Sequence, residues 1–507
     1  MNTRKTLPLL AASILCGCAV GPNYHRPAAA VPERFKEAEG WKPAEPKNAA
    51  SGTDWWSVYD DSVLDRLEKQ IDISNQTLKA SEASYREAQA VVSQARAGYF
   101  PTLGVSGSAT RTKGLGTTVG GASTTTTTTG GSSTSTGTST TVVPTTTHPF
   151  NNFDVAANAS WAPDIWGKIR RTVESDVASA QASEADLAAA RLSAQATLAT
   201  DYVELRVSDE TKQLLDQTVE AYQRSLDITQ NQYKAGIVAK ADVITAETQL
   251  EGAQSQQINV GVMRAQLEHA IAVLIGKPPA DFAIVPATFG TVIPVLPTGL
   301  PSSLLERRPD VAAAERTMAS ANAQIGVAVA AYFPDLTLSG SAGFTSNVIN
   351  GLMRAPNNVW SLGADVSDTI LDFGLRSAQV AQARAAYDLA VANYRQAVLS
   401  AFQQVEDELA ALRILEQQDT VQDKTVKSAN EAVRLTINQY KAGVVAYTAV
   451  VTAQATALAD AQTLLSIRQN RLTASVALIQ ALGGGWSTAA LGSPPPTAVA
   501  ATSGTGT

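Results

Sequence analysis

The sequence predicts an α+β membrane chain made of two copies of one unit, which can close a hollow barrel only when several chains combine. Three observations carry this. The hexapeptide Asn-Gln-Tyr-Lys-Ala-Gly occurs at 231–236 and again at 438–443, 207 residues apart; Ala-Gly-Tyr-Phe-Pro at 97–101 returns as Ala-Ala-Tyr-Phe-Pro at 330–334, offset by 233. Two runs of 68 residues, Lys168–Ala235 and Leu375–Ala442, contain neither Gly nor Pro. Four segments of about ten residues alternate apolar and polar side chains, the period of a strand with two different faces. A long internal repeat has to be read before any local pattern, because each copy is one structural unit.

The first 17 residues read as a secretion signal: Arg4 and Lys5, an apolar stretch from Leu7 to Leu15, then Gly17 before Cys18. The apolar stretch is too short to span a bilayer as a helix. Leu15-Cys16-Gly17-Cys18 resembles the lipobox of bacterial lipoproteins, with Cys18 as the lipid acceptor. Cys16 is the poorer acceptor, since Leu15 would occupy its cleavage position. With only these two cysteines, no disulfide framework is possible. Removing residues 1–17 takes away two of 39 basic residues and none of 46 acidic ones, leaving a net charge of -9. Such a balance argues against nucleic acid as a partner. Residues 18–61 are assigned to the anchor and an equatorial segment.

The first repeat spans 62–276. It opens with a helix over Ser62–Ala97, continues through a strand pair at 99–111 and 150–163, and ends in a helical hairpin, 168–275. As one helix, each 68-residue run would reach roughly 100 Å at 1.5 Å per residue, against a usual helix of about 11–12 residues. Gly236 and Gly443 suit the left-handed position that ends helices, and the chain returns through Ile237–Ile275 and Val444–Leu482. Residues 277–302 form a linker with six prolines from Pro278 to Pro301. The second repeat, 303–484, holds a helix over Asp310–Tyr332, a strand pair at 335–346 and 358–371, and a hairpin, 375–482. In both repeats the shorter helices could stack end to end beside the long one. The Ser-Thr-Ala-Pro tail, 485–507, is expected to be disordered.

Helix faces narrow the reading. Ala378–Ala411 holds eleven alanines among Gln382, Arg384, Asn393, Gln403 and Glu406, without one wide stripe of large apolar residues. Small residues flanked by polar ones suit a helix with neighbours on both sides and water on two faces. A coiled-coil rod would instead need sustained Leu or Ile heptads. On the strands, Leu103, Val105, Val155, Trp161, Leu336, Leu338, Trp360 and Leu362 alternate with Ser106, Ser108, Asp154, Asn158, Ser339, Ser341, Ser361 and Asp365. A soluble β-domain with one wet face is the alternative. In lipid, however, four strands cannot close and open edges are not tolerated. Eight strands leave an interior filled by side chains. A hollow barrel therefore needs several copies. The tract Gly114–Thr147, with six consecutive threonines at 124–129, is expected to be a long mobile loop.

Asp154 and Asp365 fall on the polar strand face, where repeated copies would ring a lumen with negative charge that favours cations; hydrogen bonding to strand neighbours is the plain alternative. No catalytic or metal constellation is found. His25, His148 and His269 are far apart in unlike contexts, and no phosphate loop or nucleophile elbow occurs. No enzyme activity, cofactor or metal is expected.

The segments Cys18–Tyr24, Pro301-Ser-Ser-Leu-Leu-Glu-Arg-Arg-Pro-Asp-Val311, both Tyr-Phe-Pro strand starts, Asp164-Ile-Trp-Gly167, Asp372-Phe-Gly374 and both Tyr-Lys-Ala-Gly tips together resemble the outer membrane factors. These are TolC-like channels, and the lipidated branch similar to OprM and NodT proteins fits best. The resemblance covers nearly the whole mature chain. It implies a homotrimer lodged in outer membrane lipid, with a twelve-stranded barrel, four strands per chain, continued by a periplasmic helical barrel. It also implies docking of the helical tips, through Tyr233, Lys234, Gly236, Lys441 and Gly443, to a periplasmic adaptor, and an inner-membrane pump of the RND type. The family's periplasmic constriction carries over to Thr448, Thr452 and Ala455, which lack its apolar, acidic and basic side chains, whereas Tyr440 and Tyr447 match and Asp242 is the acid after the first tip. A gate of Tyr440 packing and threonine rings is therefore expected. The implied function is a passive efflux duct for drugs or other small toxic compounds. A type I protein secretion channel and a non-conducting structural lipoprotein are the alternatives.

Overall fold

The structure is a computed structural model that describes residues 19–28, 32, 35–37, 54–113, 115–119, 142–146, 149–288 and 306–492. The signal peptide with Cys18, the centre of the Thr/Ser/Gly tract, residues 289–305 of the linker and the tail beyond 492 lie outside them. A 3-10 turn, Trp55–Tyr59, precedes α1 (Ser62–Ser74) and α2 (Gln76–Ala97); then come β1 (Thr102–Thr112), β2 (Leu115–Val119), β3 (Val142–Thr146) and β4 (Phe150–Trp161). The hairpin α3 (Lys168–Lys234) and α4 (Lys240–Leu274) completes the first repeat. The second holds α5 (Pro309–Ala330), β5 (Asp335–Ser346), β6 (Asn358–Ser367), α6 (Leu375–Lys441) and α7 (Tyr447–Ala481). Both long helices have 67 residues and both return helices 35.

The chain divides into two compact units. One contains Gln94–Arg171 and Gly326–Gln379, and its centre is a four-stranded antiparallel sheet in the order β1-β4-β5-β6. Every residue of β1 and β6 is exposed in the single chain, so the sheet has no core of its own and two open edges. Asp164 and Asp372 end the strand layer by capping the long helices. Asp164 accepts from the backbone N–H groups of Ile169 and Arg170, both at 2.9 Å, and Asp372 from those of Gly374 and Arg376. Such caps satisfy amides that have no partner within the helix.

The other unit contains Pro22–Ser93, Thr172–Ile325 and Val380–Thr507. Its main core gathers Trp55, Leu64, Ile71, Tyr202, Ile271, Tyr394, Val405 and Leu478 from the 3-10 turn and from α1, α3, α4, α6 and α7. The N-terminal segment is tied along α5 and α6. Arg26 Nε donates to the Tyr394 hydroxyl at 3.1 Å, Tyr24 OH donates to Glu315, and the Glu406 carboxylate accepts from the amides of Lys36 and Glu37.

Several expectations change. Residues 62–97 form two helices, not one, because Asn75 leaves the helical conformation, caps α2 through Leu78 N–H at 3.0 Å and donates its amide to the Leu274 carbonyl at 2.7 Å. The tract Gly114–Thr147 is not loop throughout: its ends pair as the hairpin β2–β3, where Leu115, Val119, Val142, Val143 and several threonines supply strong strand formers. The strand expected at 99–111 is shifted to Thr102–Thr112, and those expected at 150–163 and 358–371 end early, at Trp161 and Ser367. Tyr99 and Phe100 turn instead, Pro163 offers no N–H, and the segment after Ser367 is held by Arg376, which bonds Asp368 and Asp372. The start of the tail is ordered: Trp486 and Leu491 pack on Ala185 and Ala312, and Gly492 exchanges bonds with Gln181 and Glu184. The linker begins as a strap, with the Ile284 and Val285 carbonyls accepting from Arg264 and Arg206.

One buried charge group stands out in α1. Glu68 is fully buried, and neither carboxyl oxygen has a hydrogen-bond partner among the described residues. Burial, reinforced by nearby Asp72, pushes its carboxyl up to about 9 from 4.5. The folded chain then holds one proton more than the unfolded chain between those values, so stability is complete below pH 4.5 and falls as pH rises towards 9. Glu68→Leu is expected to stabilise the protein by about 1–3 kcal/mol at pH 8 and to flatten the dependence of its melting temperature on pH between 5 and 9.

Candidate functional site

The strand registers decide which side chains share a face. Ser108 lies opposite Asp154, Asp154 opposite Thr345, and Thr337 opposite Asp365. Since side chains alternate along a strand, both aspartates fall on one face with Ser106, Asn158, Ser339, Ser341 and Ser361. That face is bound together by its own side chains: Asn158 Nδ2 donates to Ser106 Oγ, and the Ser341 and Ser361 hydroxyls lie 2.9 Å apart. Leu103, Val105, Val155, Trp161, Leu336, Phe344, Trp360 and Leu362 occupy the other face; Leu103, Val105 and Leu362 are more than 80% exposed. Within one chain, Asp154 and Asp365 are eight residues apart along β5, about 27 Å at 3.4 Å per residue. The chain alone thus places them at two levels, which the sequence could not reveal because it lacked the register.

Beside this sheet, the first described residues are held where α3 begins. Val20 N–H bonds the Trp166 carbonyl at 3.2 Å, and Arg171 donates to the carbonyls of Val20 and Gly21. A Cβ added at Gly167, which has φ +80, would lie 2.8 Å from Ala19 Cα, so only glycine permits this approach. Cys18 itself lies outside the described residues, one peptide bond from Ala19.

At the far ends of the hairpins, the two tips repeat one geometry. Gly236 and Gly443 both have φ +74. Ile237 N–H bonds the Gln232 carbonyl and Val444 N–H that of Gln439, both at 2.9 Å, the six-to-one closure of a Schellman motif. Tyr233, Lys234, Gly236, Lys441 and Gly443 are exposed. So are Ile237 (66%) and Val444 (71%), which the sequence reading missed. The missed signal was their place: each is the large aliphatic residue directly after the repeated glycine.

Behind the tips, both hairpins meet in a small core of Tyr222, Leu226, Val243, Ala246, Leu250, Tyr440, Tyr447 and Val450. The rings of Tyr440 and Tyr447 are 5.3 Å apart, and Tyr440 OH donates to Thr229 Oγ1. Burial, with a smaller contribution from Asp242, raises both phenols, Tyr447 up to about 12. The two tyrosines therefore pack inside the chain's own tip, with half-buried Asp242 beside them. Thr448, Thr452 and Ala455 are exposed instead, at i, i+4 and i+7 on one side of α7, and Thr452 Oγ1 bonds the Thr448 carbonyl. Residues grouped as one gate in sequence thus divide into an internal pair and an external stripe.

Among the described residues, no group of three His, Cys, Asp or Glu side chains is placed to hold a metal. No described helix is long and apolar enough to cross a membrane.

Residues 67–277 and 300–484 match the family model described as outer membrane efflux protein. The chain is 27% identical over 487 residues to TtgC, a probable efflux pump outer membrane protein of Pseudomonas putida, covering 96% of both chains. It is 26% identical over 492 residues to CusC, a cation efflux system protein of Escherichia coli, covering 96% of this chain and all of the relative. Among solved structures, the outer-membrane channel OprN superposes with a TM-score of 0.81 at 27% identity, covering 92% of this chain and all of that one.

Proposed function

The chain belongs to the outer membrane efflux protein family, and from that premise we propose that it is the outer membrane exit duct of a tripartite efflux system. The observation that carries this reading is the four-stranded sheet with one polar face, one apolar face and two open edges. In a bilayer such edges must be paired. Two copies would make eight strands, an interior filled by side chains; three make twelve, which leaves a lumen. The polar face then lines water and the apolar face meets lipid. A lipid on Cys18 fits the placement of Ala19 against Gly167, six residues beyond β4.

The duct is passive. Its exposed tips, with Ile237, Val444, Lys234 and Lys441, offer an apolar knob beside a cation for a periplasmic adaptor, and an inner-membrane pump of the RND type supplies the energy. Relatives carry names for toluene, antibiotic and cation export, so the cargo is set by the pump and small toxic compounds are the class. The chain carries cargo without transforming it. The stripe Thr448–Thr452 lines the periplasmic constriction, and the internal Tyr440–Tyr447 pair holds that stripe in place.

Purified full-length protein in a planar bilayer is expected to give discrete openings; silence at every voltage overturns the duct. Thr452→Asp is expected to change single-channel conductance, and an unchanged value removes Thr452 from the constriction. Replacing both Asp154 and Asp365 by Asn is expected to reduce cation preference, read as a reversal potential in a salt gradient moving towards zero.

A further inference from the structure

In the helical unit, a cavity of about 460 Å³ opens where the end of α7 meets the start of α5, and α3 and α6 complete its walls. Sites that hold drug-sized molecules fall in the range of about 300–1,000 Å³. Leu192, Pro309, Ala477 and Ala481 give the cavity an apolar wall, and Gln404 and Gln480 add side-chain amides. Leu274 stands in the first repeat where Ala481 stands in the second, and the smaller side chain leaves room at this joint.

The lining holds three charged side chains, Arg308, Asp310 and Glu408. Two of them match each other. Buried Arg308 donates from Nε and Nη2 to the Asp310 carboxylate, at 3.0 and 2.7 Å, and from Nη1 to the Ala481 carbonyl at 3.1 Å. Glu408 is half-buried and has no hydrogen bond or ion pair among the described residues. Burial raises its carboxyl, and exposed Asp407 beside it adds to the shift. The cavity therefore carries one negative charge without a counter-charge, in a half-buried place where attraction to a cation exceeds that in bulk water. The amides of Gln404 and Gln480 also lack side-chain partners among the described residues. A metal ion is a poor match, because a lone carboxylate and an apolar wall supply too few oxygen ligands.

Helix periodicity fixes the side on which the cavity opens. On α7, Leu472, Ser475, Leu478 and Ile479 pack towards the core that holds Trp55 and Ile71, and Tyr59 OH lies 2.7 Å from Ser475 Oγ. At about 3.6 residues per turn, Ala477 and Gln480 project from the opposite face of the helix. The 3-10 turn and α1 thus form a layer on one side of the wall, and the cavity lies on the other. In a duct that layer is outside, since inside it would plug the lumen. The cavity then faces the passage.

We propose that this cavity is a way-station for cargo, where a small organic cation with an apolar body docks its positive charge on Glu408. The inference rests on the exit-duct reading and names a chemical class for the cargo. The bound cation supplies the counter-charge that Glu408 lacks, and its body covers Leu192, Pro309 and Ala477. The side-chain carbonyls of Gln404 and Gln480 accept from any N–H it carries. An anion meets the same carboxylate and finds Arg308 already committed to Asp310. A single charge contact also keeps release fast, as passage requires: a channel site must be strong enough to enter and weak enough to leave.

Tetraphenylphosphonium and tetraphenylborate share one shape and carry opposite charges, and equilibrium dialysis against the purified full-length protein compares them. Tetraphenylphosphonium is expected to bind saturably at one site per chain, at least about tenfold more tightly than tetraphenylborate. Glu408→Gln is expected to weaken it at least about tenfold. Asp407→Asn, at the exposed neighbour, is expected to weaken it by less than about twofold. Ala477→Phe, which fills the cavity and keeps the charge, should weaken it as much as Glu408→Gln. Equal binding by wild type and Glu408→Gln, or equal binding of the two ions, overturns the site. So does a loss in Asp407→Asn as large as that in Glu408→Gln, since general surface charge would then be the cause. In planar bilayers, tetraphenylphosphonium is expected to interrupt the wild-type current, with interruptions at least about tenfold shorter in Glu408→Gln. Wild-type openings without saturable binding overturn the site and leave the duct; binding with silence at every voltage overturns the duct and leaves the site.

Discussion

Gly483→Ala is expected to destabilise the protein by about 2–5 kcal/mol, as is Gly276→Ala. Each glycine follows a return helix at the point where it meets an earlier segment of the same repeat. Gly276 follows α4 with φ +68, and a Cβ there would sit 2.2 Å from the Ser74 carbonyl oxygen. Gly483 follows α7 with φ +94, and its Cβ would sit 2.1 Å from the Arg307 carbonyl oxygen. The supporting bonds repeat as well: Asn75 donates to the Leu274 carbonyl and Arg308 to the Ala481 carbonyl. Every position of the first joint has its counterpart in the second at an offset of 207 or 233, although only the glycine is the same residue in both. The cost combines about 1–2 kcal/mol for an alanine in the left-handed region with about 1–3 kcal/mol for crowding into backbone that has nowhere to go. Gly236→Ala and Gly443→Ala separate the two, because both tips share the left-handed backbone but have nothing within 4 Å of an added Cβ. They are expected to cost only about 1–2 kcal/mol. Denaturant unfolding followed by circular dichroism checks the difference; equal losses at tips and joints would refute the steric half.

Asp209→Ala is expected to cost about 3–5 kcal/mol, the usual consequence of removing one member of a buried ion pair. Its carboxylate accepts from Arg206 Nη1 at 3.2 Å, Arg264 Nε at 2.7 Å and the amide of Ala287 at 3.1 Å. Side-chain exposure is 4% for Arg206 and 6% for Asp209, so loss of the acid leaves a guanidinium buried without its counter-charge. The two arginines also strap the linker through the Ile284 and Val285 carbonyls, and faster proteolysis after residue 284 should accompany the loss of stability. Arg224→Ala is the contrast. Its partner Glu220 and it are 69% and 64% exposed, and that pair is worth no more than about 1 kcal/mol. A loss of similar size at both sites would show that burial does not set the scale.

Much of the architecture was legible because its signals are local. Glycine-free runs mark the long helices, Gly236 and Gly443 their ends, and alternation the two faces that carry Asp154 and Asp365. The failures are equally specific. Asn75 looked like one more polar residue in a helix, since its partner Leu274 is 199 residues away. Tyr440 and Tyr447 were grouped with the gate by likeness, and nothing in their own spacing named Tyr222, Val243 and Leu250 of the other hairpin as the residues that close around them. The β2–β3 hairpin was hidden in a tract whose composition argued for loop.

By itself, the sequence determined the two-fold plan, the lengths of the helices, the face on which each strand side chain falls and the family likeness. The helix lengths and strand faces follow from periodicity and from glycine and proline, which act over a few residues of backbone, whereas the two-fold plan and the likeness rest on the repeated and matching peptides themselves. The tertiary structure decided the strand register, the joint at Asn75 and Gly276, the inward packing of the tip tyrosines, and the pair of sheet edges left without partners. Those depend on which distant residues touch, and a contact between positions hundreds of residues apart leaves no mark in the spacing of either.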